Sequence, residues 1–391
     1  MMRLFIEPTE ALLFRTGRPF DAGNDVFAES VFPPTAETIQ GAVRAAIASY
    51  WDSTRRLDEV FKLPSFTKLI GDSSNYGHFR ITSFSLGRRK SNEAIERIFP
   101  APAHLLQLKD RRGNRLQLKL KPQNLTGVKS NLPDDLDHYL LYDREIQDKD
   151  SKLEPLCRWV TESGLLKALR NIDDLTRDEM VRDDKIYRQE SRLGIGMENK
   201  TKTTREGYLY QVQMVRMEPD YGFVVDIRLS ESPEGGRALK PLHETLLDDA
   251  KTREELHLPQ AGKGWLTLGG EQRAARFEVV PSLSSTQRND LEQVKTGKLL
   301  YLATPAYFEG GWRPGEWLAS LPKLIAAAIP RFQPIGGWKL DPESSGGHSK
   351  VMRRCVPAGS VYFFDQPVTV TRPLTDYGWQ IGYGITVIGE W

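Results

Sequence analysis

The last stretch of the chain constrains its architecture most. From Lys298 the sequence reads as a strand (KLLYLATPAYF), a helix over GEWLASLPKLIAAAI (315–329) with Pro322 as a kink, and three further strands. Those strands are FQPIGGWKL, CVPAGSVYFF and GYGITVIGEW, and SSGGHSK (344–350) reads as a mobile loop between them. A β-α-β-β-β order in so few residues is close to a ferredoxin-like or RRM-type unit. The opening of the chain follows the same order in expanded form. Two such units account for 391 residues if the first carries large insertions. The expectation is an α+β protein with an N-terminal ferredoxin-like domain over 1–285, inserted at about 50–185, and a C-terminal one over 290–391. The polar tract 281–297 makes the junction.

The first unit opens with a strand, RLFIEP, and a loop, FRTGRPFDAG, that carries Arg15 and Arg18. In VFPPTAETIQGAVRAAI the two prolines end the extended entry and Thr35 is placed to cap a helix. Glu37 sits in its first turn, where the dipole favours a carboxylate. Ile39, Val43 and Ile47 then repeat at the spacing of one apolar face. Gly41 interrupts this run at a cost of about 1 kcal/mol relative to alanine. Either a tight helix–strand contact or a phosphate backbone beside Arg44 would explain it.

Strands follow at FRITSFSLGRR (79–89) and in the hairpin HLLQLKD-RRGN-RLQLKLKP (104–122), whose basic turn carries Arg111, Arg112 and Arg115. One polar face suggests that this hairpin projects. A helix is expected around Leu156–Leu169. Three strands, SRLGIGM, GYLYQVQMVRM and YGFVVDIRL, come next, with KTKTTREG as a basic connector. Helical character returns at 241–256, and GWLTLGGEQRAARFEVV reads as strand, Gly-Gly bend, strand.

Net charge is only +2, so bulk electrostatics give no reason to expect nucleic acid. The distribution is uneven, however. Arg88–Lys129 holds eleven Lys/Arg against three Asp/Glu, an excess of +8, and Asp134–Asp184 holds fifteen acids against eight bases, or −7. The chain can thus turn a basic face to a polyanion and an acidic one to solvent or to a basic partner. No apolar run reaches membrane-spanning length. Two isolated cysteines, Cys157 and Cys355, fit neither a disulfide framework nor a zinc site, and a reducing cytoplasm suits them.

The common catalytic and nucleotide-binding motifs are missing: no GxxxxGK[ST], HExxH, GxSxG or CxxC. The six histidines show no metal-ligand spacing, and no metal or cofactor is expected. His78, in SNYGHFRIT beside Tyr76 and Arg80, is the best single candidate for acid–base work on RNA, set against a plain structural hydrogen bond. Glycine clusters stand out instead, in YGWQIGYGITVIGEW, at Gly336–Gly337, at Gly269–Gly270 and at Gly194 and Gly196. Each reads singly as a bulge or turn. Together, with arginines and aromatics nearby, they suggest exposed amides that cradle phosphates and surfaces that stack bases.

Five ordered segments carry a family resemblance: FRTGRPFDAG with PPTAETIQGAVRAAI, SRLGIGMENKTKTTREGYLYQVQMVRM, LGGEQR, VPAGSVYFFD and GYGITVIGEW. The sequence resembles the Cmr3 family, the third subunit of the type III-B CRISPR–Cmr effector complex and part of the RAMP superfamily. Residues 50–185 contribute least to the likeness. The resemblance implies two ferredoxin-like domains and a glycine-rich loop near the C-terminus, here with Gly382 and Gly384. It implies a subunit without nuclease activity of its own that binds the 5′ tag of the CRISPR RNA. Its partners would be the large polymerase/cyclase-like subunit and the backbone subunits of the same complex, with no membrane. A thumb-like hairpin of related subunits would correspond to 104–122. RNA contacts would come from Arg15, Arg18, Gly41, Arg44, Arg188, Arg192, Lys200, Lys202 and Arg205. The alternatives are a metal-independent repeat endoribonuclease using His78, or a bridge with no RNA contact. Trp391 would either pack back on its sheet or meet another subunit.

Overall fold

The computed structural model describes residues 2–16, 27–72, 75–109, 115–125, 133, 136–144, 152–230, 254–257, 259, 262–280, 296–315, 320–340 and 347–391. Outside them lie Arg18, Arg111, Arg112, most of the expected helix at 241–256 and most of the junction at 281–297.

The first strand, Met2–Pro8, is apolar at Met2, Leu4, Phe5 and Ile6, and all four side chains are buried. Such a run belongs in the middle of a sheet, and the structure puts it there. It pairs antiparallel with Tyr221–Leu229 on one side and Ala274–Val280 on the other. The eight-stranded sheet runs, edge to edge, Met180–Val181, Trp159–Thr161, Ile95–Pro100, Phe79–Arg89, Tyr221–Leu229, Met2–Pro8, Ala274–Val280, Lys263–Thr267. At its centre Arg3 stands opposite Asp226 and donates two hydrogen bonds to its carboxylate, at 2.6 and 2.7 Å. Both side chains are buried.

Helix Ala36–Trp51 lies on this sheet. Thr35 caps it by accepting from the Thr38 amide, and Ile39, Val43 and Ile47 enter the main core, as expected. Near its end the Tyr50 hydroxyl accepts from the Trp265 amide at 3.0 Å and donates to the Trp265 carbonyl at 3.4 Å. Trp265 belongs to an edge strand, so one side chain covers both of its main-chain groups. Gly264 gives the hydroxyl room, since a Cβ there would collide with it.

The C-terminal sheet is four-stranded and antiparallel, in the order Leu324–Ala328, Val361–Val368, Gly297–Leu302, Thr386–Gly389. Here the expected helix at 315–329 is overturned over its second half, for Leu324–Ala328 is an edge strand paired with Val361–Val368; residues 316–319 lie outside the described residues. Pro322 cannot donate within a helix, and the run after it, LIAAA, is too short and too uniformly apolar for periodicity to tell strand from helix. The helix that covers this sheet comes from much earlier in the chain. Leu165, Ala168 and Leu169 of helix Glu162–Leu169 share one core with Leu299, Tyr301 and Phe363. Leu300, Leu302, Tyr362 and Phe364 fill a second core on the opposite face. The expected helix around Leu156–Leu169 thus begins later, at Glu162, because Thr161 closes strand Trp159–Thr161 and caps the helix through the Gly164 amide. Trp391 packs back into the first of these cores, edge-on to Phe363.

Two smaller differences concern surface elements. Gly347–Ser349, expected as loop, pairs with Trp338–Leu340 as a short ladder. The hairpin Leu105–Lys109/Arg115–Asn124 forms as expected, but it is flanked by Lys152–Pro155 and His138–Tyr142 in a four-stranded sheet. Leu105 and Leu118 are buried, so its base is embedded and does not project. No helix among the described residues is long and apolar enough to cross a membrane.

Replacing Arg3 with Met strands a buried carboxylate, and the expected loss is about 3–5 kcal/mol. Urea unfolding of Arg3→Met beside Arg3→Met/Asp226→Leu checks this. The double variant should recover most of the loss.

Candidate nucleic-acid interface

The glycine motif of the C-terminus folds inward. Gly382 and Gly384 have φ of 98° and 66° and are buried. The Gly384 amide donates to the Pro305 carbonyl at 2.8 Å and the Gly382 amide to Trp379 at 3.4 Å. A Cβ on Gly384 would overlap the Leu374 carbonyl oxygen. These glycines therefore serve close packing and a left-handed turn, and the expectation of exposed amides that cradle phosphate is overturned at both. Between them, the Tyr383 hydroxyl donates to the Glu37 carboxylate of the first helix. Ala36, Ile335, Cys355, Ile381 and Tyr383 form one cluster, joined by Tyr76, Tyr307 and Tyr377. The guanidinium of Arg353 lies 3.7 Å from the ring centroid of Tyr377. Segments far apart in sequence, PPTAETIQ, CVPAG and GYGITV, thus meet in one apolar and aromatic seam. Burial pushes the Cys355 thiol up to about 12 and keeps it protonated.

Two readings at the first helix are also corrected, the tight contact at Gly41 and the phosphate contact at Arg44. Gly41 is exposed, and a Cβ would meet nothing within 4 Å, so no tight contact explains it. Arg44 turns to the protein: its guanidinium donates to the Gly71 carbonyl at 2.7 Å and stacks over Phe61. It closes the loop after helix Pro64–Ile70 and is unavailable to a phosphate. The trio at His78 does not assemble either. His78 Nδ1 is 2.6 Å from the Ser230 carbonyl oxygen. Arg80 is buried and donates to Gly77 and Phe79, while Tyr76 joins the tyrosine cluster.

What does present cations is a long arm. Strands Tyr187–Met197 and Thr204–Met217 pair along nearly their whole length and join through residues 198–203. The Glu198 amide donates to the Thr203 carbonyl, and Lys202, at φ 57°, turns the corner. Lys200 and Lys202 are exposed at this tip. Arg188, lower on the arm, has a side chain 67% exposed, with Glu218 3.6 Å away. The side chain of Arg205 is outside the described residues. Arg192 bonds to Glu190, which also accepts from Arg216 at 2.6 Å, so this guanidinium is shared with protein. The base of the arm is tied to the loop that precedes the first helix. Leu12 and Val215 exchange two main-chain bonds of 2.7 and 2.8 Å, and Arg15 bridges to Ser30. Arg273 of LGGEQR holds Glu10 beside them at 2.6 Å.

Sequence reasoning missed the arm's apolar side. Leu193, Ile195, Met197 and Leu209 are exposed, Leu193 to 74%. Ile195 stands opposite Leu209, and Phe27, also exposed, pairs beside Gln211. The signal was present in SRLGIGM, where alternate residues from Leu193 on are apolar although the strand lies in a basic tract.

The family profile described as CRISPR-associated protein (Cas_Cmr3) matches residues 4–391. The chain belongs to the Cas_Cmr3 family. None of the curated proteins matches it. Among solved structures it is similar to a chain of the Type III-B Cmr-beta bound to cognate target RNA and AMPPnP, state 1, at 17% identity and a TM-score of 0.43, over 92% of this chain and 86% of that one. A chain of Cmr-beta bound to cognate target RNA gives 15% and 0.44 over the same shares. A chain of the Cmr-beta apo state gives 10% and 0.30, over 72% of this chain and 98% of that one.

In this Cas_Cmr3 protein the two guanidiniums around Glu190 hold its carboxyl down at about 2, against an ordinary 4.5. A lowered carboxyl stabilises the fold fully above its unfolded value and loses that contribution as pH falls toward the folded one. The advantage of the native protein over Glu190→Gln should therefore hold at pH 7, shrink below about 4.5 and vanish near 2. Urea midpoints across that range check it. For Gly41→Ala the open site gives no clash, so a gain of roughly 0.5–1 kcal/mol is expected. If a partner backbone lies on the helix, the same variant gains stability alone and loses affinity in the assembly. Thermal melts and co-purification read the two effects separately.

Proposed function

We propose that this Cas_Cmr3 protein is a non-catalytic, RNA-binding subunit of a type III-B CRISPR effector complex, working in the cytoplasm. It binds the 5′ tag of the CRISPR RNA and docks on the large polymerase/cyclase-like subunit and on the backbone subunits. The two-stranded arm carries the reading. It combines exposed cations at Arg188, Lys200 and Lys202 with exposed apolar side chains at Leu193, Ile195 and Leu209. Phosphates of a single strand meet the cations, and the aliphatic side chains act as wedges between successive bases. The arm takes the thumb role in place of hairpin 104–122, whose base is held inside its own sheet. Two ferredoxin-like domains are the framework in this reading, with the helix over the C-terminal one replaced by Glu162–Leu169. His78 Nδ1 is taken by the Ser230 carbonyl and Arg80 by loop carbonyls, which favours binding over cleavage.

The test is RNA binding by the assembled complex across a salt series. Three fewer phosphate contacts in Arg188→Ala/Lys200→Ala/Lys202→Ala should lower the slope of log K against log[salt] by about 2, at roughly 0.7 per single-strand phosphate. Leu193→Ser/Ile195→Ser should weaken binding with the slope unchanged. A tag-bearing RNA should outcompete a scrambled one, and equal binding would remove tag recognition. Cleavage of repeat RNA in EDTA that His78→Ala abolishes would replace this reading by the nuclease.

A further inference from the structure

A cleft of about 760 Å³ lies between two sheets, and no residue of the arm lines it. One wall is strand His138–Tyr142, at an edge of the hairpin sheet. The other is strand Leu324–Ala328, at an edge of the C-terminal sheet. Two sheet edges therefore border one hollow; the two strands pack against each other, with no ladder between them among the described residues, and the hollow opens beside their contact. Ala326 and Ala327 keep the hollow open because their side chains are small, and Leu140, Ile329 and Trp312 line it.

The rim is different. Phe332 is 45% exposed. Two guanidiniums lie over its ring, Arg354 at 5.2 Å and Arg331 at 6.0 Å from the centroid. Both are exposed, and neither forms an ion pair among the described residues. Val351, 76% exposed, and Met352 are beside them. Beside the far end the Asp137 carboxylate is already used: it accepts from Lys323 at 2.8 Å and bonds to His138, which ties the two walls together. Among the described residues the rim is thus cationic with no carboxylate paired to it, and the interior is mostly apolar.

We propose that this cleft receives a short extended peptide of a neighbouring protein subunit, bulky and apolar along its length and ending in one or more carboxylates. The apolar walls take side chains, and Arg354 with Arg331 takes the carboxylates. An RNA strand fits less well. It would bring one charge per nucleotide against apolar walls. The proposal rests on the reading of the chain as a complex subunit and not on where the RNA lies.

The test places p-benzoylphenylalanine at position 332 of the chain, within the effector complex purified after co-expression of all subunits. Irradiation should join it to one segment of another protein subunit that contains bulky apolar residues followed by Asp or Glu. Ala327→Trp, which fills the hollow, should cut the yield at least about fivefold, the scale of one modest lost contact. Arg354→Glu, an exposed change that leaves folding intact, should do the same, and Arg354→Lys should retain most of the yield. Crosslinks to RNA, to no macromolecule, or at a yield that Ala327→Trp leaves unchanged would overturn the peptide site. If the other subunits and RNA co-purify and only the crosslink fails, the docking site alone is wrong. If the chain co-purifies with no subunit, the subunit reading falls with it.

Discussion

The C-terminal sheet must bury two apolar faces, and no α-helix from its own part of the chain, among the described residues, covers either. Val361, Tyr362, Phe363 and Phe364 are all fully buried, a run that only a sheet covered on both sides can hold. Helix Glu162–Leu169 supplies the missing layer on one face. Its end comes so close that a Cβ on Gly389 would lie 2.6 Å from the Leu169 carbonyl oxygen, and that same oxygen accepts from the Glu390 amide. The Tyr301 hydroxyl reaches across to the Pro100 carbonyl at 2.7 Å. What looks in the sequence like an insertion is therefore part of the shared core. The two halves are joined by packing and main-chain contacts as well as by the chain that links them.

That sharing explains which parts of the fold the sequence discloses. Elements whose pattern is local were readable: the first helix with its Thr35 cap, the strand at Phe79–Arg89, most of the two strands that form the arm, though not their pairing, and the hairpin closed by Gly269 and Gly270. Element 324–328 was not readable, because its strand character depends on Val361–Val368 beside it and on the core beneath. The start of helix Glu162–Leu169 depended in the same way on Trp159 and Val160 being drawn into the central sheet.

The site was legible in part. Basic residues of the arm stand out in sequence, and three of them reach solvent. Glycines were a poorer guide, since a glycine needed for internal approach and one needed for a ligand look identical in one dimension. Gly384 is packed against Leu374, Gly194 makes room for the Tyr210 ring, and Gly41 faces open space. Arginines divide in the same fashion. Arg44 and Arg80 satisfy loop carbonyls, whereas Arg188 stays outside. Only the distance to a partner separates the cases, and the sequence does not contain it.

The Tyr50 hydroxyl has an implication for the life of the chain before assembly. The strand bearing Trp265 ends the central sheet and carries an indole 57% exposed, the profile of a seam at which molecules stack edge to edge into fibres. By occupying the amide and carbonyl of that residue, a single phenol denies an incoming strand two rungs at the middle of this edge. A newly made copy awaiting its companions is thereby guarded against polymerising with its siblings.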